Sequence, residues 1–149
     1  MKKSLSLSLA VLLCLSLCAC TSNKYLGTYE KEYAYGNGYW ADFVQAHEVM
    51  DLTWNGKGTF CVKSIHDSEY LSAGTILAEG TVTWNETDGY IVITRSGTLY
   101  LRKVQHPPYD GYYYYADGNE AYNKTETYEL KGSKLINVTN SGNCWDKIQ

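Results

Sequence analysis

Residues 79–94 read Glu79-Gly80-Thr81-Val82-Thr83-Trp84-Asn85-Glu86-Thr87-Asp88-Gly89-Tyr90-Ile91-Val92-Ile93-Thr94, and they decide the fold class. Val82 and Trp84 recur at every second position, as do Ile91 and Ile93; that is the period of a strand with one buried face. Between them Asn85, Asp88 and Gly89 supply the residue types that reverse a chain. Two strands joined by so short a link pair as an antiparallel hairpin.

Outward from this hairpin the same alternation recurs. It predicts strands at 26–35, 48–54, 59–65, 75–84, 90–94, 98–104, 112–116, 125–130, 134–139 and 144–148, punctuated by Asn55-Gly56-Lys57-Gly58, Ser96-Gly97, Asp117-Gly118-Asn119, Gly132-Ser133 and Ser141-Gly142-Asn143. Core faces follow from parity: Met50, Leu52 and Trp54; Phe60 and Val62; Val82 and Trp84; Ile91 and Ile93; Leu99 and Leu101; Tyr128 and Leu130. The expected fold class is all-β, an antiparallel up-and-down barrel of about 8–10 short strands, because closure removes edges. A two-sheet sandwich satisfies the same pattern. Residues 39–47 instead place Trp40, Phe43, Val44 and His47 on one helical face, and a short helix plugging one barrel end is expected there. No internal repeat or linker divides residues 25–149, which read as one domain.

The chain begins Met1-Lys2-Lys3 and continues apolar to Ala19, the layout of a secretory signal over 1–19 and too short to span a bilayer. Leu17-Cys18-Ala19-Cys20 resembles the lipobox of bacterial lipoproteins. The resemblance implies cleavage before Cys20 and attachment of two or three acyl chains to it; at about 0.8 kcal/mol per buried methylene such an anchor is effectively permanent. Residues 20–24 would form the lipidated Cys and a short tether. Thr21 stands where an Asp would signal inner-membrane retention. The expected location is therefore extracytoplasmic: lipid-anchored to the outer membrane of a two-membraned host, or to the outer face of the cell membrane otherwise.

The 149 residues carry 13 Lys+Arg and 16 Asp+Glu. Without Lys2 and Lys3 the balance is 11 against 16, a formal −5, which disfavours nucleic acid as a partner. Of five cysteines, only Cys61 and Cys144 lie beyond the leader. Parity points both outward, and an oxidising compartment favours a Cys61–Cys144 disulfide fastening the last strand to the outer wall, against two separate thiols. His47, His66 and His106 lie on three segments without ligand spacing, so no metal and no cofactor is expected. Neither a Gly-x-Ser-x-Gly nucleophile nor a phosphate-binding loop is present, and catalysis is not expected.

Gly27-Thr28-Tyr29, Gly58-Thr59-Phe60 and Gly80-Thr81 with Trp84 together resemble small lipocalin-like bacterial lipoproteins, implying an eight-stranded barrel with an internal or rim site. The copper-linked, surface-sensing member of that group carries an early Cys-x-x-Cys that this chain lacks, so that role does not carry over. Ser96-Gly97-Thr98-Leu99-Tyr100 is similar to the Ser-Gly-x-x-Tyr element of membrane-bound lipoprotein inhibitors of c-type lysozyme, without its flanking residues; a tight turn between Thr94 and Thr98 explains the same residues.

Tyr occurs 15 times against 2 Phe. Six of these, Tyr109, Tyr112, Tyr113, Tyr114, Tyr115 and Tyr122, fall within 109–122 beside Asp110, Asp117 and Glu120. Amphipathic rings of this kind favour binding surfaces, although high strand propensity explains them equally. The expected function is a non-catalytic binding lipoprotein. It would contact a small molecule, a glycan or an envelope protein through this hairpin and through Tyr39 and Trp40; an envelope-assembly role or inhibition of a hydrolase such as lysozyme is the alternative.

Overall fold

The computed structural model describes residues 23–35, 44–105, 107 and 111–149. The leader, Cys20, Phe43, His106 and the candidate contact residues Tyr39, Trp40 and Tyr109 lie outside them. Among the described residues ten strands follow in order: β1 (Gly27–Tyr35), β2 (Val44–Thr53), β3 (Lys57–Ser64), β4 (Ile76–Thr87), β5 (Tyr90–Leu99), β6 (Arg102–Gln105), β7 (Tyr112–Tyr115), β8 (Glu120–Lys131), β9 (Lys134–Asn137) and β10 (Cys144–Lys147). Eight of them close an antiparallel barrel in the order β1-β10-β9-β8-β5-β4-β3-β2, and β6 with β7 forms a separate two-stranded hairpin between β5 and β8. Apart from that insertion each strand pairs with its chain neighbour, and closure is made by Tyr29 against Lys147 and Glu30 against Asp146.

Alternation builds the interior. Tyr29, Met50, Leu52, Phe60, Val62, Val82, Trp84, Ile91, Ile93, Tyr128, Leu135 and Trp145 are all buried. They fill the half of the barrel toward the β2–β3, β4–β5 and β8–β9 turns. The N-terminal turn Asn23–Tyr25 closes this end: the buried Tyr25 hydroxyl donates to the Gly89 carbonyl at 3.1 Å and Lys24 pairs with Glu86 at 2.9 Å. The chain thus passes beneath the barrel from β1 to the β4–β5 turn.

One inward row explains the wall's curvature. Phe60 pairs with Gly80, Gly80 with Gly97 and Gly97 with Tyr122, and the Phe60 and Tyr122 rings approach to 5.2 Å between centroids. A Cβ on Gly97 would lie 2.0 Å from the Glu79 carbonyl oxygen, and one on Gly80 2.2 Å from that of Ser96. The strands come too close here for any side chain.

Four expectations are corrected. Ser96-Gly97 is no turn: β5 runs unbroken through it, because Gly97 is the partner that Gly80 requires. Trp54 is 58% exposed rather than in the core, since β2 ends at Thr53 and Asn55, at φ 64°, turns the chain away. Val44 to His47 belong to β2, paired with β1, so no helix occupies the described part of 39–47. Cys61 and Cys144 are free thiols. Parity does place both outward, but β2 and β1 intervene between β3 and β10. At about 4.8 Å per strand that is roughly 14 Å around the wall, beyond the reach of a disulfide.

Gly97→Ala is expected to lower the free energy of unfolding by about 1–3 kcal/mol, as overpacking does. A urea titration reads this as a lower midpoint with unchanged slope.

Candidate functional site

Beyond the apolar rows the same inward parity meets charge. Past Tyr29 comes Lys31, before Met50 stands Glu48, past Ile93 comes Arg95, and before Tyr128 stands Glu126. Arg95 and Glu48 are 2% and 1% exposed. Such burial is tolerable only for charges that are paired and hydrogen-bonded. The Arg95 Nη1 donates to Glu48, and Nη2 donates to Glu126 Oε2 at 2.5 Å. Beneath the guanidinium the Trp145 ring lies 5.3 Å from Cζ, with Tyr122 at 5.8 Å and Phe60 at 6.0 Å. Arg95 therefore bridges walls that its own strand does not touch, β2 on one side, while joining β8 on the other.

Around this pair the donors are dense. Glu126 Oε2 also accepts from the Tyr128 hydroxyl at 2.9 Å, and Oε1 accepts from Asn143 Nδ2 at 2.8 Å, Lys124 Nζ at 3.1 Å and Asn137 Nδ2 at 3.4 Å. Lys31 Nζ donates to Asn143 Oδ1 at 3.1 Å, lies 3.4 Å from Glu48 Oε2 and stands 4.2 Å over the Trp145 ring. Burial works against the Arg95 charge, but Glu48, Tyr122 and Tyr128 more than offset it and the group is held charged. Burial also pushes Glu126 up, yet the Tyr128 hydroxyl, Arg95 and Lys124 bring it below the ordinary carboxylate range. For Lys31 burial wins over the attraction of Glu48, and its ammonium sits below the usual lysine value.

This network floors a cavity of about 790 Å³ at the barrel end opposite the N-terminal turn. Tyr33, Tyr122 and Lys124 reach it from the walls, and Thr139, Asn140 and Gly142 of the β9–β10 connection border it. The charges lining it balance in number, Lys31, Arg95 and Lys124 against Glu48, Glu126 and Glu32; Glu32 has outward parity and stands at the rim, the other five point inward.

The tyrosines singled out in the sequence are divided. Tyr122 lines the cavity. Tyr114 is buried in the core cluster with Leu71, Leu77 and Leu101. Tyr113 and Tyr115 pack on Tyr70 of the β3–β4 connection, with centroids 5.1 and 4.7 Å apart, and Arg102 covers Tyr115 while gripping Asp117 through two hydrogen bonds. Tyr112 remains exposed, with Lys103 Nζ 3.8 Å from its ring centre. The hairpin stands at the cavity end and does not line the cavity. His47 bonds Glu30 at 3.0 Å on the outer wall, and His66 is exposed. Among the described residues no cluster of His, Cys, Asp and Glu is arranged to hold a metal ion.

Sequence reasoning missed Lys31, Glu48, Arg95, Lys124 and Glu126, although extending the core rows of Met50, Ile93 and Tyr128 by one or two alternations leads to all but Lys31, whose strand has no core row among those expected.

Arg95→Leu takes from the buried Glu48 its main partner, leaving Lys31 at 3.4 Å, and is expected to cost about 3–5 kcal/mol, measured by urea unfolding; adding Glu48→Gln should recover part of the loss. Stability should also fall on the alkaline side. Burial pushes the Tyr29 hydroxyl up to about 12, and Tyr128 is raised for the same reason. Unfolded tyrosines ionise near 10, so above that pH the unfolded chain sheds protons that the fold retains. The loss should grow from about pH 10 to 12, and a Tyr29→Phe variant should show a shallower decline.

Comparison of the chain with protein-family models, with curated proteins and with solved structures found no match, so the cavity's chemistry rests on its own geometry.

Proposed function

We propose that the chain is a membrane-anchored, extracytoplasmic binding lipoprotein that holds a small anionic, acceptor-rich molecule, such as an acidic sugar, in its mouth cavity and does no chemistry on it. The observation that carries this reading is the donor surplus at the cavity floor. Arg95, Tyr128, Lys124, Asn137 and Asn143 all converge on Glu126, whereas a carboxylate offers about four acceptor positions. A ligand bringing carboxylate or hydroxyl oxygens gives Lys124, Asn137 and Asn143 better partners. The volume, about 790 Å³, lies in the range of small-molecule sites, roughly 300–1,000 Å³. Tyr33 and Tyr122 add rings with polar ends suited to a sugar face.

Both inward carboxylates are engaged by Arg95. They serve as fixed acceptors, an arrangement that suits binding better than acid–base catalysis. The Tyr112 ring on the neighbouring hairpin offers further contact to a longer glycan.

Titration calorimetry with hexuronic acids, the matching neutral sugars and dicarboxylates tests the reading. Acidic sugars should bind and neutral ones should not. Lys124→Met, which alters a half-exposed side chain, should weaken binding about tenfold, equivalent to about 1.4 kcal/mol. Equal binding of charged and neutral sugars, or an unaffected Lys124→Met variant, defeats it.

A further inference from the structure

The closed end of the barrel has a surface that neither the core nor the cavity uses. Trp54, on the β2–β3 turn, is the most exposed large apolar side chain among the described residues at 58%; Ile148 follows β10 at 49% and Tyr90 opens β5 at 44%. All three stand on the rim beneath which Asn23–Tyr25 passes. Side chains about half exposed carry an unfavourable contact with water of roughly 1 kcal/mol each, and Trp and Tyr are the residues favoured at membrane interfaces.

Tether length decides what lies opposite. Cys20 precedes Asn23 by three positions, and three extended residues span roughly 10 Å. A lipid on Cys20 therefore holds the underside within about a nanometre of the bilayer. The charges at this end do not make it a polybasic patch: Lys24 pairs with Glu86 at 2.9 Å, Lys131 with Glu129 at 2.9 Å and Lys134 with Asp146 at 2.7 Å, and Lys147 donates to the Lys24 carbonyl at 3.2 Å. Against Lys57, which follows the Trp54 turn, stands the Asp88 charge at the tip of the β4–β5 turn.

We infer that Trp54, Tyr90 and Ile148 form a second, apolar membrane contact that docks the closed barrel end onto the phospholipid interface beside the anchor. This inference rests on the lipoprotein reading. Because the charges at this end nearly balance and three of its lysines are ion-paired, docking depends little on headgroup charge. It turns the barrel so that the cavity mouth faces away from the membrane.

The experiment uses the full mature chain as produced by its host, reconstituted in vesicles of phosphatidylcholine alone or with phosphatidylglycerol, each with and without brominated acyl chains. The Trp54 signal is the emission of wild type minus that of Trp54→Phe, a change on an exposed turn that leaves the core untouched. Bromination should lower this difference at least twofold in both lipid compositions. A chain that floats with vesicles, carries acyl mass on Cys20 and shows an unquenched difference overturns docking while the anchor stands. A chain without acyl mass that stays in the aqueous fraction overturns the anchor and the docking together. Quenching only with phosphatidylglycerol overturns the apolar mode of contact.

Discussion

The Arg95 guanidinium is the constraint around which the barrel is organised. A cation at 2% exposure costs several kcal/mol unless its surroundings replace water nearly completely. That replacement needs Glu48 from β2, Glu126 from β8 and the ring faces of Trp145, Tyr122 and Phe60 at once. No two adjacent strands supply all of these. The charge is therefore satisfied only in a closed barrel of the right register. A one-residue slip of β5 would send Arg95 outward and Ile91 and Ile93 with it.

The same cluster divides the interior into two materials. On one side lie close-packed apolar side chains down to Tyr25; on the other the polar cavity occupies the part walled by β1, β8 and the β9–β10 connection, while Val44 and Ala46 of β2 continue the apolar packing past Glu48. An aqueous cavity directly above an apolar core would expose that core, whereas a layer of paired charges presents water with hydrogen-bonding groups and the core with ring faces and alkyl stems. The Gly80–Gly97 approach serves this division, because only without side chains there can Phe60 and Tyr122 meet across two strands. Tyr122 then belongs to both halves: its ring packs on Phe60 and its strand position places it in the cavity wall.

Much of the fold was legible because one face of most strands is apolar to its end. Met50 with Leu52 and Ile91 with Ile93 declare their direction by alternation alone, and the turns at Asp88-Gly89 and Gly132 are written in residues that take positive φ. The site was less legible because its residues break the pattern that finds strands. Glu48, Arg95 and Glu126 read as the polar ends of core rows, and only the pairing of strands far apart in sequence shows that they neutralise one another. Ser96-Gly97 misled for a related reason. The pair is turn-like in isolation and becomes a strand only through Gly80, 17 positions earlier in the chain.

The tyrosine excess has a structural explanation that leaves room for function. Tyr25, Tyr29 and Tyr128 are buried with their hydroxyls bonded to Gly89, Tyr25 and Glu126, positions where Phe would fill the space but remove a partner from the Gly89 and Tyr25 carbonyls and from the Trp145 indole N–H that donates to the Tyr128 hydroxyl. In the hairpin, Tyr113 and Tyr115 hold β6 and β7 to the β3–β4 connection through Tyr70. Rings thus do the work of a core in a segment the barrel itself does not cover, and their hydroxyl ends keep that segment compatible with water. A hairpin stabilised in this way can stand at the cavity end, where a wholly apolar one would have to be buried. The polarity that suits these residues to an exposed support also makes Tyr112 a surface on which a ligand extending beyond the cavity finds both a ring face and a hydrogen-bonding group.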